Sequence, residues 1–94
     1  ESVCYGHAGD GNLHINIIKG AMSETDWHTK LKEGIIKIFE LTVSLEGTLS
    51  GEHGIGLVQK EYMSIKYSPI HLDIMRGIKR VFDPNYILNP GKIF

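Results

Sequence analysis

Ser2-Val3-Cys4-Tyr5-Gly6-His7-Ala8-Gly9-Asp10-Gly11-Asn12-Leu13-His14-Ile15-Asn16-Ile17 is the stretch whose alternation sets the fold class. Within residues 12–19, Leu13, Ile15 and Ile17 alternate with Asn12, His14 and Asn16, the period-two pattern of a half-buried strand. Residues 2–7 read as a second strand. Between them, Ala8-Gly9-Asp10-Gly11 supplies the permissive backbone of a tight connection. The expectation is an antiparallel hairpin with a four-residue loop that returns His7 to the side of His14. His14 and Asn16 then share one face, and the aliphatic residues take the other.

Beyond Lys19-Gly20 the period changes. Ser23 and Asp26 have capping-box spacing, and a long helix is expected from about Thr25 to Leu45. Its stripe is Trp27, Leu31, Ile35, Ile38, Thr42 and Leu45, at spacings of three and four. Gly34 interrupts it, at roughly 1 kcal/mol relative to alanine, and suggests a close approach to the sheet. Gly47 closes the helix. Thr48 to Gly56 reads as a glycine-rich loop, with a short strand at Thr48-Ser50, leading into a short helix near Leu57–Met63. Ser68-Pro69 is a good helix start, and the helix from 69 to about 82 should bury Ile70, Ile74, Met75, Ile78, Val81 and Phe82. Asp83-Pro84-Asn85 stops it, and an apolar tail follows.

Ninety-four residues with 41% hydrophobic and 22% charged side chains fit a single soluble domain. A net charge of −1 without a Lys/Arg cluster argues against nucleic acid as the main partner. One cysteine, Cys4, points to a reducing compartment and reads as a small apolar strand residue. No apolar run approaches the ~20 residues of a membrane span, and no signal peptide is visible. The chain opens without methionine, directly in a strand. That beginning is expected of a piece of a longer protein, though a processed or tag-cleaved terminus would look the same.

The chemistry lies in the glycine-rich turns. His7, His14 and Glu52 offer two imidazoles and a carboxylate, a set that can hold a divalent metal such as zinc with a position left open. His53, next to Glu52, is then placed as a general base off the metal, since imidazoles exchange protons near neutral pH. The spacing matches no stereotyped motif such as HExxH, so a second reading fits too: hydrogen-bonding turn and strand residues. The glycines favour the first, because they let backbone and side chains crowd a ligand. Asp10, between two glycines, is more a turn former than a ligand. His28 and His71 read as surface residues. Neither GxGxxG nor GxSxG is present, which argues against Rossmann, P-loop and serine-hydrolase chemistry.

Three ordered segments carry a family resemblance. GHAGDGNLHINI resembles a GHxGDGNxHxN motif, GTLSGEHGIG a G(T/S)xSxEHGxG segment, and KRVFDPNYILNPGK a closing KxxxDPxxxLNPGK. Together they resemble the C-terminal segment of the FAD-linked oxidases of the vanillyl-alcohol oxidase superfamily, in the group of D-lactate dehydrogenase, glycolate oxidase and D-2-hydroxyglutarate dehydrogenase. The resemblance implies an α+β fold: residues 1–94 as half of a ferredoxin-like cap domain, an antiparallel sheet with helices on one face, plus a C-terminal helical tail.

It also implies that His7, His14 and Glu52 bind a divalent metal, zinc first among candidates. His53 takes the substrate's hydroxyl proton while the α-hydrogen leaves as hydride to FAD. Asn16 contacts the 2-hydroxy acid substrate, and Asn89 and Lys92 lie near the flavin or fix the tail. FAD itself would be bound mainly by an upstream domain of the same parent chain. These 94 residues alone are then expected to be inactive as an oxidase, and exposed apolar surface to favour a homo-oligomer. The expected location is cytoplasmic, or peripheral to the inner face of a membrane. The alternative is a stand-alone metal-binding α+β module without redox activity.

Overall fold

A computed structural model describes residues 1–94. Strand β1 covers Ser2–His7 and β2 Asn12–Ile17; helix α1 covers Glu24–Ser44, α2 Met63–Lys66 and α3 Pro69–Phe82, with a 3-10 turn at Lys60–Tyr62 running into α2. The two strands form an antiparallel pair joined by residues 8–11. Tyr5 lies opposite His14, Val3 opposite Asn16, His7 opposite Asn12 and Gly6 opposite Leu13. Opposed residues point to the same face, so Val3, Tyr5 and His7 share a side with Asn12, His14 and Asn16. The class is α+β, as expected. The second strand stops at Ile17, two residues short of the expected end, with Ser2 as its last opposite residue.

Gly6 makes the hairpin tight. A Cβ there would sit 2.0 Å from the Asn12 carbonyl oxygen and 3.0 Å from the Leu13 Cα. Only glycine lets the strands approach this closely beside His7.

Helix α1 begins where the Ser23 hydroxyl accepts a hydrogen bond from the Asp26 amide at 3.1 Å. Glu24 and Asp26 in the first turn complement the helix dipole. Trp27, Leu31, Ile35, Ile38 and Thr42 are half-buried, but Leu45 lies beyond the helix as an exposed cap. Gly34 meets open space rather than the sheet. At the C-terminus the Glu46 amide donates to Val43 O at 3.0 Å and the Gly47 amide to Thr42 O at 2.8 Å. That is a Schellman ending, and its left-handed residue is Glu46, with φ 63°. A side chain in that conformation costs about 1–2 kcal/mol, part of which is offset by the greater flexibility of unfolded glycine. Glu46→Gly should therefore stabilise the fold by about 0.5–1 kcal/mol, read as a shifted denaturation midpoint.

The buried apolar side chains are Leu49, Tyr62 and Met63. Phe39 of α1 packs on Tyr62 with ring centroids 5.1 Å apart, and burial pushes the Tyr62 hydroxyl pKa up. Lys32 of α1 bridges to Glu61 at 2.5 Å, and that hydrogen bond holds the Glu61 carboxyl below its ordinary range. Lys66 donates to the Gly47 carbonyl. These ties join the 60–66 segment to α1 and to Gly47, and no strand forms at Thr48-Ser50. The helical segment expected near 57–63 begins later, at Lys60, after a turn over residues 56–58 that Gly56 enters with φ 56°.

Helix α3 is capped by Ser68, whose hydroxyl accepts from the His71 amide, with Pro69 at the first position. Its stripe is correctly spaced but not buried: Ile70 is 73% and Phe82 79% exposed, and Ile74, Ile78 and Val81 lie open as well. On the hairpin, Leu13 is 63% exposed, and Cys4 is exposed where packing was expected. The radius of gyration is 15.7 Å, against roughly 12 Å for a compact domain of this length. The amphipathic elements form, but no second layer covers them. No helix is long and apolar enough to cross a membrane.

Asp83 organises the tail. Its carboxylate, 3% exposed, accepts hydrogen bonds from Lys79 Nζ at 2.8 Å and from the amides of Ile87 at 2.9 Å and Leu88 at 3.0 Å. The Lys79 bond above all, aided by the two amides, holds the Asp83 carboxyl below the usual carboxylate range. A carboxyl lowered in the folded state stabilises it above the unfolded pKa and ceases to do so as pH falls through the folded one. The tail is thus fastened at neutral pH and loosened by acid. Further along, the Ile93 amide donates to Gly56 O at 2.7 Å and Lys60 Nζ to Gly91 O at 3.1 Å.

Candidate functional site

The hairpin brings His7 and His14 onto one face from sequence positions seven apart. Glu52 arrives from the loop after α1. Ser50 closes that loop by accepting the Gly54 amide at 2.8 Å, which turns Glu52 and His53 outward at its tip. Gly51 lets the loop reach the hairpin: a Cβ there would fall 2.1 Å from Asn12 Oδ1.

Glu52 Oε1 is the meeting point. It lies 3.0 Å from His14 Nε2, 3.5 Å from His53 Nε2 and 3.9 Å from His7 Nε2. One donor atom each from His7, His14 and Glu52 falls within 4.8 Å of the others, and His53 does not join that mutual set. Ligands about 2.0–2.1 Å from a tetrahedral zinc stand roughly 3.4 Å apart, so the three donors could hold one divalent ion once small side-chain rotations draw them closer together. Three exposed or half-exposed side chains, rather than a sealed cage, would leave room for a further ligand. The His14 side chain is the least exposed of the histidines here at 23%, against 59% for His7.

The rings form a cluster. The His14 ring stacks on Tyr5 with centroids 5.2 Å apart and 14° between planes, and meets His53 edge-on at 5.3 Å. Asn16 Nδ2 donates to the Tyr5 hydroxyl at 3.0 Å. An open cleft of about 1040 Å³ runs between the hairpin, α1 and the 46–53 loop, with His14, Asn16, Glu52 and His53 on its wall. It has room for a small organic acid.

The family model for "FAD linked oxidases, C-terminal domain" matches residues 1–93. This chain belongs to that family.

As an FAD-linked oxidase C-terminal domain it is similar over its whole length to larger proteins. One is a D-2-hydroxyglutarate dehydrogenase of Stutzerimonas stutzeri, 43% identical over 95 residues, covering 100% of this chain and 20% of the relative. Another is a D-lactate dehydrogenase of Anaerostipes hadrus, 44% identical over 89 residues, covering 95% and 19%. Glycolate oxidase subunit GlcD of Bacillus subtilis is 39% identical over 94 residues, covering 99% and 20%. The chain spans about a fifth of the length of the curated relatives it matches.

Five of the residues singled out in this FAD-linked oxidase domain, His7, His14, Asn16, Glu52 and His53, are brought together on one side of the hairpin. Asn89 and Lys92 are not; they belong to the tail, outside the residues lining the cleft, where the Lys92 amide donates to Asn89 O at 3.3 Å. Asp10 forms the turn, its amide donating to His7 O at 3.0 Å. His28 pairs with Glu24 on the surface at 3.6 Å, and His71 lies exposed beside its cap, Ser68. Sequence reasoning missed Tyr5. The signal was available, because the alternation of β1 puts Tyr5 on the face of His7, and a four-residue loop sets it opposite His14.

Proposed function

We propose that this chain is the metal- and substrate-binding part of a flavin-dependent 2-hydroxy acid dehydrogenase of the D-lactate, glycolate or D-2-hydroxyglutarate class. The observation that carries the reading is the convergence of His7, His14 and Glu52 within 4.8 Å, in a domain whose relatives are named for oxidation of such acids. The three side chains are the ligands of a divalent metal, zinc by the borderline character of imidazole and carboxylate. When bound, the metal supplies Lewis acidity toward the hydroxyl and carboxylate of the acid, and FAD supplies the hydride acceptor.

The remaining work falls to the chain's own groups. His53, beside Glu52 and facing the cleft, takes the hydroxyl proton. Asn16, on the face of His14, orients the acid so that its C–H bond presents in one direction. FAD is held mainly by a preceding domain of the parent protein, with Asn89 and Lys92 at the contact between tail and that domain. These 94 residues alone, with FAD added, oxidise no 2-hydroxy acid. The parent protein works in the cytoplasm or at the inner face of a membrane.

Elemental analysis after dialysis tests the metal site. The full-length protein should hold close to one equivalent of divalent metal. His7→Ala and Glu52→Ala should each lower it to about a tenth or less, since losing one of three protein ligands removes more than the 10–100-fold seen for outer-shell partners. Metal retained in both variants, or none in the parent protein, would overturn the assignment.

A further inference from the structure

We propose that Tyr5 is a positioning residue with two separable tasks: its ring sets the orientation of His14, and its hydroxyl sets that of Asn16. The proposal rests on reading His14 as a metal ligand and Asn16 as a substrate contact.

The geometry divides the two tasks between different regions of one side chain. Tyr5 and His14 are directly opposed across the hairpin, and their rings lie nearly parallel, 14° apart at 5.2 Å. Stacking fixes the plane of the imidazole, and the plane fixes where Nε2 points, toward Glu52 Oε1 at 3.0 Å. Asn16 lies one step along the same face, and its Nδ2 donates to the Tyr5 hydroxyl at 3.0 Å. That bond commits one amide hydrogen and leaves the second hydrogen and the carbonyl oxygen free for a ligand. The Tyr5 oxygen accepts in this bond, so its own hydrogen is not used by it.

A merely structural tyrosine would show neither split. Tyr5 is 56% exposed, so its contacts add little to stability, and substitutions should act on the site instead. In Tyr5→Phe the stack survives and the Asn16 anchor is lost. In Tyr5→Leu both are lost.

The experiment uses the full-length protein and reads the Zn²⁺ dissociation constant by competition with a chelator. KM and kcat are measured with D-lactate, glycolate and D-2-hydroxyglutarate in turn. Tyr5→Phe should bind Zn²⁺ within about twofold of the parent protein and raise KM by about two- to tenfold, the value of one neutral hydrogen bond, with kcat little changed. Tyr5→Leu should in addition weaken Zn²⁺ by about 10-fold or more, as loss of an orienting partner does. Unchanged Zn²⁺ affinity and KM in both variants, while His14→Ala loses Zn²⁺, would overturn the role of Tyr5 alone. If His14→Ala binds Zn²⁺ as tightly as the parent protein, the metal site itself falls and this proposal with it.

Discussion

His53→Ala in the full-length protein is expected to lower kcat by about 10²- to 10⁴-fold, the contribution of a positioned general base, while the metal content stays at the parent level. The separation follows from where the ring stands. His53 Nε2 is 3.5 Å from Glu52 Oε1, close enough to exchange a proton with a group held beside that carboxylate. It is nevertheless outside the mutual set formed by His7, His14 and Glu52. On the proposed roles, its removal takes away the proton acceptor and leaves the three proposed ligands. Elemental analysis and turnover on the same preparation decide it. Metal lost in parallel with kcat would make His53 a fourth ligand instead of a base.

Gly6→Ala should be the most damaging substitution outside the proposed ligands themselves. The new methyl would meet the Asn12 carbonyl oxygen at 2.0 Å and the Leu13 Cα at 3.0 Å. Both are backbone atoms that no rotamer change can move. Inserting a methyl into a well-packed place costs typically about 1–3 kcal/mol, and this one must also push apart a pair of hydrogen-bonded strands beside the turn. His7, the next residue, is carried away from His14 and Glu52. The expected result is a denaturation midpoint lowered by an amount equivalent to about 3 kcal/mol, together with loss of metal. Gly9→Ala serves as the control, since a Cβ at Gly9 meets nothing within 4 Å. A Gly6→Ala protein that keeps both midpoint and metal would show that the strands tolerate wider spacing.

Much of this protein follows from its sequence. The period-two run Leu13, Ile15, Ile17 and the glycine-bearing loop at 8–11 specify a hairpin, and the loop length sets its register. The register in turn makes His7, His14 and Asn16 neighbours, because alternation across a strand is fixed by the pleat. Ser23, Ser68 and Pro69 determine where α1 and α3 begin, since capping is local chemistry among residues three or four apart.

Other features needed the tertiary structure. That Glu52 meets the hairpin depends on Gly51 fitting against Asn12, on Lys66 of α2 holding Gly47, and on Lys32 tying α1 to Glu61. These contacts join residues distant in sequence, and no local pattern encodes them. The register places Tyr5 opposite His14, but the near-parallel stacking of the two rings shows only in the tertiary structure. The stripes of α3 and β2 show the limit of periodicity. It tells which face of an element is apolar but not what covers that face, and here Ile70, Ile74 and Leu13 lie open. Amphipathic pattern is a property of one element, whereas burial is a property of two.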